Sequence, residues 1–221
     1  MDFLKDIEIK GKRVLIRVDF NVPISGGEVI NDFRIKQSLQ TIEYCLEQEA
    51  SVILMSHMGR PKGTPNEDLS LEAVCWHLED LLDSPILFAE DCISEEAFKM
   101  SKNIKGGEIL MLENLRFYNE EVRNDKSFSQ KISEHGDIYI NEAFSCSHRE
   151  HASVSEITKY IDSYAGKMMI EEINVIKMLT NGAKKPVACI IGGSKISTKI
   201  GVITNLIRKM DTIIIVGAMA N

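Results

Sequence analysis

Seven short apolar runs punctuate the chain: Val14-Leu15-Ile16, Val52 to Met55, Ile86-Leu87-Phe88, Ile109 to Leu112, Ile138-Tyr139-Ile140, Val187 to Ile191 and Thr212 to Val216. They are rich in β-branched residues and do not alternate with polar ones, the pattern of strands buried on both faces. Between them lie helical periodicities. Ile35, Leu39, Ile42 and Leu46 recur at spacings of three and four, as do Leu71, Val74, Leu78 and Leu82, with Ser70 as the expected N-cap. Ile200, Ile203, Ile207 and Met210 repeat the pattern. Strand–helix alternation with short connections predicts an α/β fold, a parallel sheet between two helical layers in a three-layer, Rossmann-like α/β/α domain.

The pattern changes late in the chain. Ile170, Ile173, Ile176 and Leu179 mark a helix over about 168–179 that stops at Asn181-Gly182, a natural terminator, followed by Ala183-Lys184-Lys185-Pro186. A new strand–turn–helix–strand then begins. The expected organisation is an N-terminal domain over 1–167, an interdomain helix and linker over 168–183, and a second α/β domain beginning at 184 and running to 221. Two strands and one helix are too little for a stable domain. The sequence stops directly after a strand and Gly217, so the expectation is that this second domain is incomplete.

Composition narrows the partners. Of 221 residues 44% are hydrophobic and 27% charged, with a formal net charge of -7. That balance argues against nucleic acid or an anionic membrane as a main partner, and it makes any cluster of arginines informative. The five cysteines, Cys45, Cys75, Cys92, Cys146 and Cys189, form no C-x-x-C pair, which suits a reduced, intracellular protein. The first residues carry no basic or apolar leader, and the apolar stretch from Ile213 to Ala220 is too short to span a bilayer. A soluble, cytoplasmic protein is expected.

The unusual polar residues follow the strands. Asp19, Asn21 and Pro23 come after the first run, His57, Gly59, Arg60 and Pro61 after the second, Glu113, Asn114 and Arg116 after the fourth, and Asn141, Glu142, His148, Arg149 and His151 after the fifth. In a parallel sheet these carboxyl ends share one edge, where ligands of open α/β sheets bind. Three arginines and up to three histidines are expected at one rim, with Arg34 able to join them. Arginine offers a planar fork for carboxylate or phosphate, so the expected ligand is small and carries both groups. Each residue also has an ordinary reading. Asp19 and Asn21 suit a turn, Arg34 or Arg116 suits a surface ion pair, and His57 suits a satisfied core position. His148 and His151 lack the context of a zinc site.

A second candidate is the turn Gly192-Gly193-Ser194-Lys195, continued by Lys199 one helical turn on. Glycines admit a phosphate to the backbone and a helix N-terminus favours negative charge. The turn matches neither the P-loop nor the dinucleotide fingerprint, and Gly-Gly also makes ordinary strand–helix connections.

Taken in order, these segments resemble the phosphoglycerate kinase family. Arg17 to Pro23, Ser56 to Pro61, Leu112 to Phe117, Asn141 to Phe144 with His148 to His151, and Gly192 to Lys199 are similar to its motifs, from Arg17 to Ala220. The resemblance implies reversible phosphoryl transfer between 1,3-bisphosphoglycerate and ADP, giving 3-phosphoglycerate and ATP, by a monomeric glycolytic enzyme. It assigns Asp19, Asn21, Arg34, His57, Arg60, Arg116 and Arg149 to the phosphoglycerate and Gly192, Gly193, Lys195 and Lys199 to the nucleotide. Arg34 and Lys195 would act on the transferring phosphoryl. Mg2+ would accompany the nucleotide, with no metal ligand within this chain. A carboxylate is ionised at neutral pH, so it needs no general base to attack phosphorus. The work is charge neutralisation and alignment. This sequence departs from the usual family pattern at Glu142, where aspartate is usual, and over Ser145 to Glu150. The segment alone is expected to be inactive or nearly so. A phosphoglycerate-binding module without catalysis is the second reading. A dinucleotide-dependent oxidoreductase is disfavoured by the missing fingerprint.

Overall fold

The computed structural model describes residues 4, 7–182, 184–193, 197 and 199–220. The chain divides into two compact units, one up to Glu171 and one from Glu172 onward. The first contains β1 (Arg13–Arg17), a hairpin of β2 (Ile24–Ser25) and β3 (Glu28–Val29), α1 (Phe33–Glu47), β4 (Ser51–Met55), α2 (Glu72–Leu82) and β5 (Ile86–Ala89). It continues with α3 (Glu95–Asn103), β6 (Ile109–Leu112), α4 (Asn119–Val122), α5 (Lys126–Ser133), β7 (Ile138–Asn141) and β8 (Ser163–Ala165). The division falls inside α6 (Lys167–Asn181).

The first unit is built on a six-stranded sheet in the order β5-β6-β4-β1-β7-β8. Every pairing in it is parallel. The apolar runs become strands because alternate residues enter two separate cores. Val14, Ile16, Val52, Leu54, Ile109, Met111, Ile138 and Ile140 meet Ile35, Ile42 and Cys45 of α1 and Val74 and Leu78 of α2. Leu15, Ile53, Met55, Leu110, Leu112 and Tyr139 meet Ala97 of α3 and Phe128 and Ile132 of α5. Each large aliphatic side chain withdrawn from water in this way contributes about 1.5–3 kcal/mol.

Register brings the functional edge into line. Arg17 pairs with Met55 on one side and Asn141 on the other, so β1, β4 and β7 end level. Leu54 pairs with Met111, which sets the end of β6 beside them. The chain order reverses around β1, since β4 lies on one side and β7 on the other. A crevice at the carboxyl edge is expected at such a point.

One expected cap is displaced. α2 begins after Leu71, one residue later than Ser70 would place it. Ser70 Oγ still accepts from Glu72 N (3.1 Å), while the carboxylate of Glu113, arriving from β6, takes Leu71 N (2.8 Å). A tertiary carboxylate thus supplies what a local serine was expected to supply.

The second unit contains the remainder of α6, β9 (Ala188–Gly192), α7 (Ile200–Leu206) and β10 (Thr212–Val216), with β9 and β10 parallel. No helix among the described residues is long and apolar enough to cross a membrane.

Candidate anion-binding site

The loops after β1, β4, β6 and β7 meet at the carboxyl edge of the sheet. A cleft of about 500 Å³ opens there, lined by Arg60, Lys62, Arg116, Asn119, Arg149 and His151 with Pro61, Gly63 and Val122. Among the described residues no carboxylate lines it. Arg60 and Arg149 make no ion pair among the described residues. Arg116 is buried. Its Nη1 donates to Gly59 O (2.7 Å), and its Nε has no hydrogen-bond partner among the described residues. Burial, then the guanidiniums of Arg149 and Arg17, pull the pKa of Arg116 down from its usual value. A site that holds like charges together and leaves a donor unsatisfied is organised for an anion.

The loop after β4 is shaped to admit these groups. Gly59 and Gly63 have φ of 57° and 78°, and a Cβ at Gly63 would come within 2.2 Å of the Asn119 side chain. Asn114 fixes the next loop. Its Oδ1 accepts from Met58 N (3.1 Å) and Arg116 N (3.0 Å), and its Nδ2 donates to Met58 O and Leu69 O (2.9 Å each). The two loops that carry Arg60 and Arg116 are therefore one hydrogen-bonded body.

Asp19, Asn21 and Arg34 form a second group after β1. Arg34 Nη1 donates to Asp19 Oδ2 (2.9 Å) and to Asn21 O (3.2 Å). Ser145 Oγ, from the loop after β7, also donates to Asp19 Oδ2. Asn21 Oδ1 accepts from Gly59 N (2.9 Å), and Asp19 Oδ1 accepts from Asn21 N (3.3 Å). These contacts meet the turn-forming reading of Asp19 and Asn21.

His57 lies beneath, 2% exposed, with Nδ1 3.1 Å from Arg17 Nη2. Burial, then Arg17, Arg116 and Arg149, hold its pKa far below the usual histidine range. Donor atoms of Asp19, His57 and Cys146 lie within 4.8 Å of one another, a spacing that resembles a metal cluster. The guanidiniums around the ring oppose a cation there, and Arg17 already uses Nδ1.

The expected histidines do not behave alike. His57 is buried behind the rim, His151 lines the cleft, and His148 is exposed and does not line it. His151 Nδ1 is 3.7 Å from Glu121 Oε1. Glu142 does not face the cleft. Its Oε1 accepts from Thr41 Oγ1 (2.6 Å) and Met168 N (3.1 Å), so it caps the start of α6. Lys62, Asn119 and Ser145 join the site without having been singled out from sequence. The Pro61-Lys62-Gly63 run after Arg60 was the available signal for the first, since Pro and Gly mark a turn back over the strand end.

In the second unit, Gly192 ends β9, Gly193 follows it, and Lys199 precedes α7. A Cβ on Gly193 would stand 3.2 Å from Met219 Sδ and 3.8 Å from Lys199 Cε. The tight neighbour is the methionine sulfur, while the lysine stem stands at ordinary contact distance. Lys195 lies outside the described residues.

Comparison with known proteins agrees over the whole span. The family model described as phosphoglycerate kinase matches residues 4–221. A phosphoglycerate kinase of Coprothermobacter proteolyticus is 46% identical over 217 residues, covering 98% of this chain and 55% of the relative. One from Moorella thermoacetica is 46% identical over 218 residues, covering 99% and 56%. The crystal structure of the Pyrococcus horikoshii phosphoglycerate kinase superposes with a TM-score of 0.91 at 32% identity, covering 100% of this chain and 56% of that one. The chain spans about half the length of the curated relatives it matches. With the family model matching nearly the whole chain and the solved relative superposing over all of it, the chain belongs to the phosphoglycerate kinase family.

Proposed function

We propose that this chain is the phosphoglycerate-binding part of a phosphoglycerate kinase, which transfers a phosphoryl group reversibly between 1,3-bisphosphoglycerate and ADP to give 3-phosphoglycerate and ATP. The observation that carries the reading is the cleft in which Arg60, Arg116 and Arg149 converge with no carboxylate among its described lining residues. The phosphate end of the substrate binds those arginines, with His57 donating from beneath. Asp19 and Asn21 take the hydroxyl and carboxylate region. Arg34 stands nearest the reacting carboxyl and, released from Asp19, neutralises the phosphoryl in flight. Gly192, Gly193, Lys195 and Lys199 hold the nucleotide phosphates, with Lys195 at the transferred group. Residues 1–167 form the substrate domain, 168–183 the interdomain connection and 184 onward the start of the nucleotide domain. The enzyme works as a cytoplasmic monomer.

Mg2+ accompanies the nucleotide in such chemistry. The described residues of the second unit do not make a site for it. Their carboxylates are Glu172, on α6, and Asp211, which is taken by Lys185 Nζ (2.9 Å) and Val187 N (2.8 Å).

Calorimetric titration of the 221-residue chain tests the reading. Binding of 3-phosphoglycerate, without turnover in an ATP-coupled assay, is the expected result. Absence of 3-phosphoglycerate binding sinks the preformed site, and robust turnover sinks the assignment of this chain as the substrate part alone. In an enzyme of full family length, Arg34→Ala should collapse turnover and leave 3-phosphoglycerate binding largely intact.

A further inference from the structure

We propose that Arg17 is a positioning residue that locks His57 as a neutral ring with its hydrogen on Nε2, so that the site meets its anion with a fixed, uncharged N–H donor. The inference deepens the functional reading and rests on it for the identity of the anion, though not for the state of the ring.

Arg17 ends β1 and is 0% exposed. A guanidinium so deeply buried is costly unless paired, yet none of the ion pairs among the described residues involves it. Its donors go elsewhere. Nη1 reaches Val18 O, Nε reaches Ser153 Oγ (2.8 Å) and Nη2 reaches His57 Nδ1 (3.1 Å). Ser153 passes the charge on, because its Oγ donates to Glu121 Oε1 (2.7 Å) and its backbone N to Glu121 Oε2 (2.9 Å). Glu121, also fully buried, balances Arg17 at one remove.

Arginine has no acceptor atom, so Nδ1 must present its lone pair and the ring's single hydrogen sits on Nε2. The charges acting on the ring favour the same state: Arg17 from β1, Arg116 from the turn after β6, and Arg149 and His151 from the loop after β7. The carboxylate that lies near it, Asp19, is occupied by Arg34, Ser145 and Asn21 N. Arg17 itself is sealed from the cleft and acts only through the histidine. The consequence is an anion site whose histidine contributes a directed hydrogen bond without titrating across the physiological range.

Nitrogen NMR of the 221-residue chain carrying labelled histidine tests this, with His57→Gln assigning the resonance. Between about pH 5 and pH 8 the wild-type His57 should keep an Nε2–H signature. In Arg17→Met the ring should lose its single tautomer and titrate inside that window. Inorganic phosphate, used as the probe, should then bind about tenfold more weakly, with an affinity that depends on pH. A wild-type His57 that titrates in the window overturns the proposal, as does an Arg17→Met variant whose ring signature stays fixed. If Arg17→Met does not fold, the wild-type ring spectrum still decides, and Ser153→Ala, which frees one arm of Arg17, should broaden the His57 resonances. A locked ring in a chain that ignores 3-phosphoglycerate keeps this inference and removes the functional reading instead.

Discussion

Two clefts open on the same edge of the sheet and carry opposite charge. The basic one, about 500 Å³, gathers Arg60, Lys62, Arg116 and Arg149. The acidic one, about 390 Å³, lies toward the β5 end and is lined by Glu67, Glu72, Glu90, Asp91 and Glu113 among others. Their difference is in what the charges already do. In the acidic cleft, Glu113 accepts from Ser70 Oγ (2.6 Å), Leu71 N (2.8 Å) and Asn114 N (2.6 Å). Asp91 accepts from Ile93 N and Tyr118 Oη (2.6 Å each). Glu67, Glu72 and Glu90 stand in water. In the basic cleft, a buried guanidinium keeps an unused donor, and Arg60 and Arg149 make no ion pair among the described residues. Charge that is spent inside the fold builds structure. Charge left unspent in a cleft is available to a ligand.

The largest expected effect lies on the basic side. On the proposed reading Arg116→Met removes a charge-assisted pair to phosphate, and it also removes a buried cation that burial already disfavours. Affinity for 3-phosphoglycerate should fall about 100-fold, near ~3 kcal/mol, by calorimetry. The melting temperature should hold or rise, because the lost group was under-satisfied in the free protein. A matching loss of stability would show that Arg116 is structural, and the contrast between the clefts would fail.

The converse variant is Glu113→Ala. It strands Leu71 N at the start of α2 and the Ser70 hydroxyl, and it frees the Asn114 amide that aligns the next loop. Denaturant unfolding should show a loss of about 2 kcal/mol. Affinity for 3-phosphoglycerate measured on the folded fraction should change little. A large selective loss of binding would mean that the acidic cleft serves the ligand as well.

Much of this was legible in the sequence, for physical reasons that differ by element. The central strands were visible because both faces are buried, so their apolar runs are uninterrupted. β8 was invisible because it is a three-residue edge strand whose Ser163 faces solvent. α3 and α5 bury serines as well as apolar residues, Ser101 in one and Ser129 and Ser133 in the other, which blurs the apolar stripe. Their caps were the better signal: Ser94 accepts from Ala97 N (3.2 Å) and Asp125 from Phe128 N (2.9 Å). In the site, residues that follow a strand end could be placed by topology alone. Arg17 could not, because it sits within the strand and its meaning comes from Ser153 and Glu121, more than 100 positions away. Glu142 follows a strand end too, yet turns inward, which only packing decides.

Glu142 is the case between the two clefts, a carboxylate only partly spent. Oε1 is bonded to Thr41 and to Met168 N, while Oε2 is buried without a partner among the described residues. It lies against Gly166, where a Cβ would come within 1.8 Å of it. Gly166→Ala should therefore destabilise the first unit by about 1–3 kcal/mol, less if the glutamate can swing aside.

The milder test is titration. Burial raises the pKa of Glu142 above the ordinary 4.5, despite the hydrogen bonds from Thr41 and the start of α6 that oppose the shift. A carboxyl group with a raised folded pKa binds more protons in the folded state than in the unfolded state over the interval between the two values. Its contribution to stability is greatest below the unfolded value and declines as pH climbs through the folded one. Glu142→Gln keeps the shape, cannot ionise, and still offers an oxygen to Thr41 and Met168. Unfolding free energy measured from about pH 4 to pH 8 should lose that part of its decline in the variant. If the wild type and the variant run parallel across the range, Glu142 pays no penalty for its buried charge. The orphaned oxygen then has a partner in solution, and the glutamate belongs with Glu113 among the carboxylates fully spent on structure.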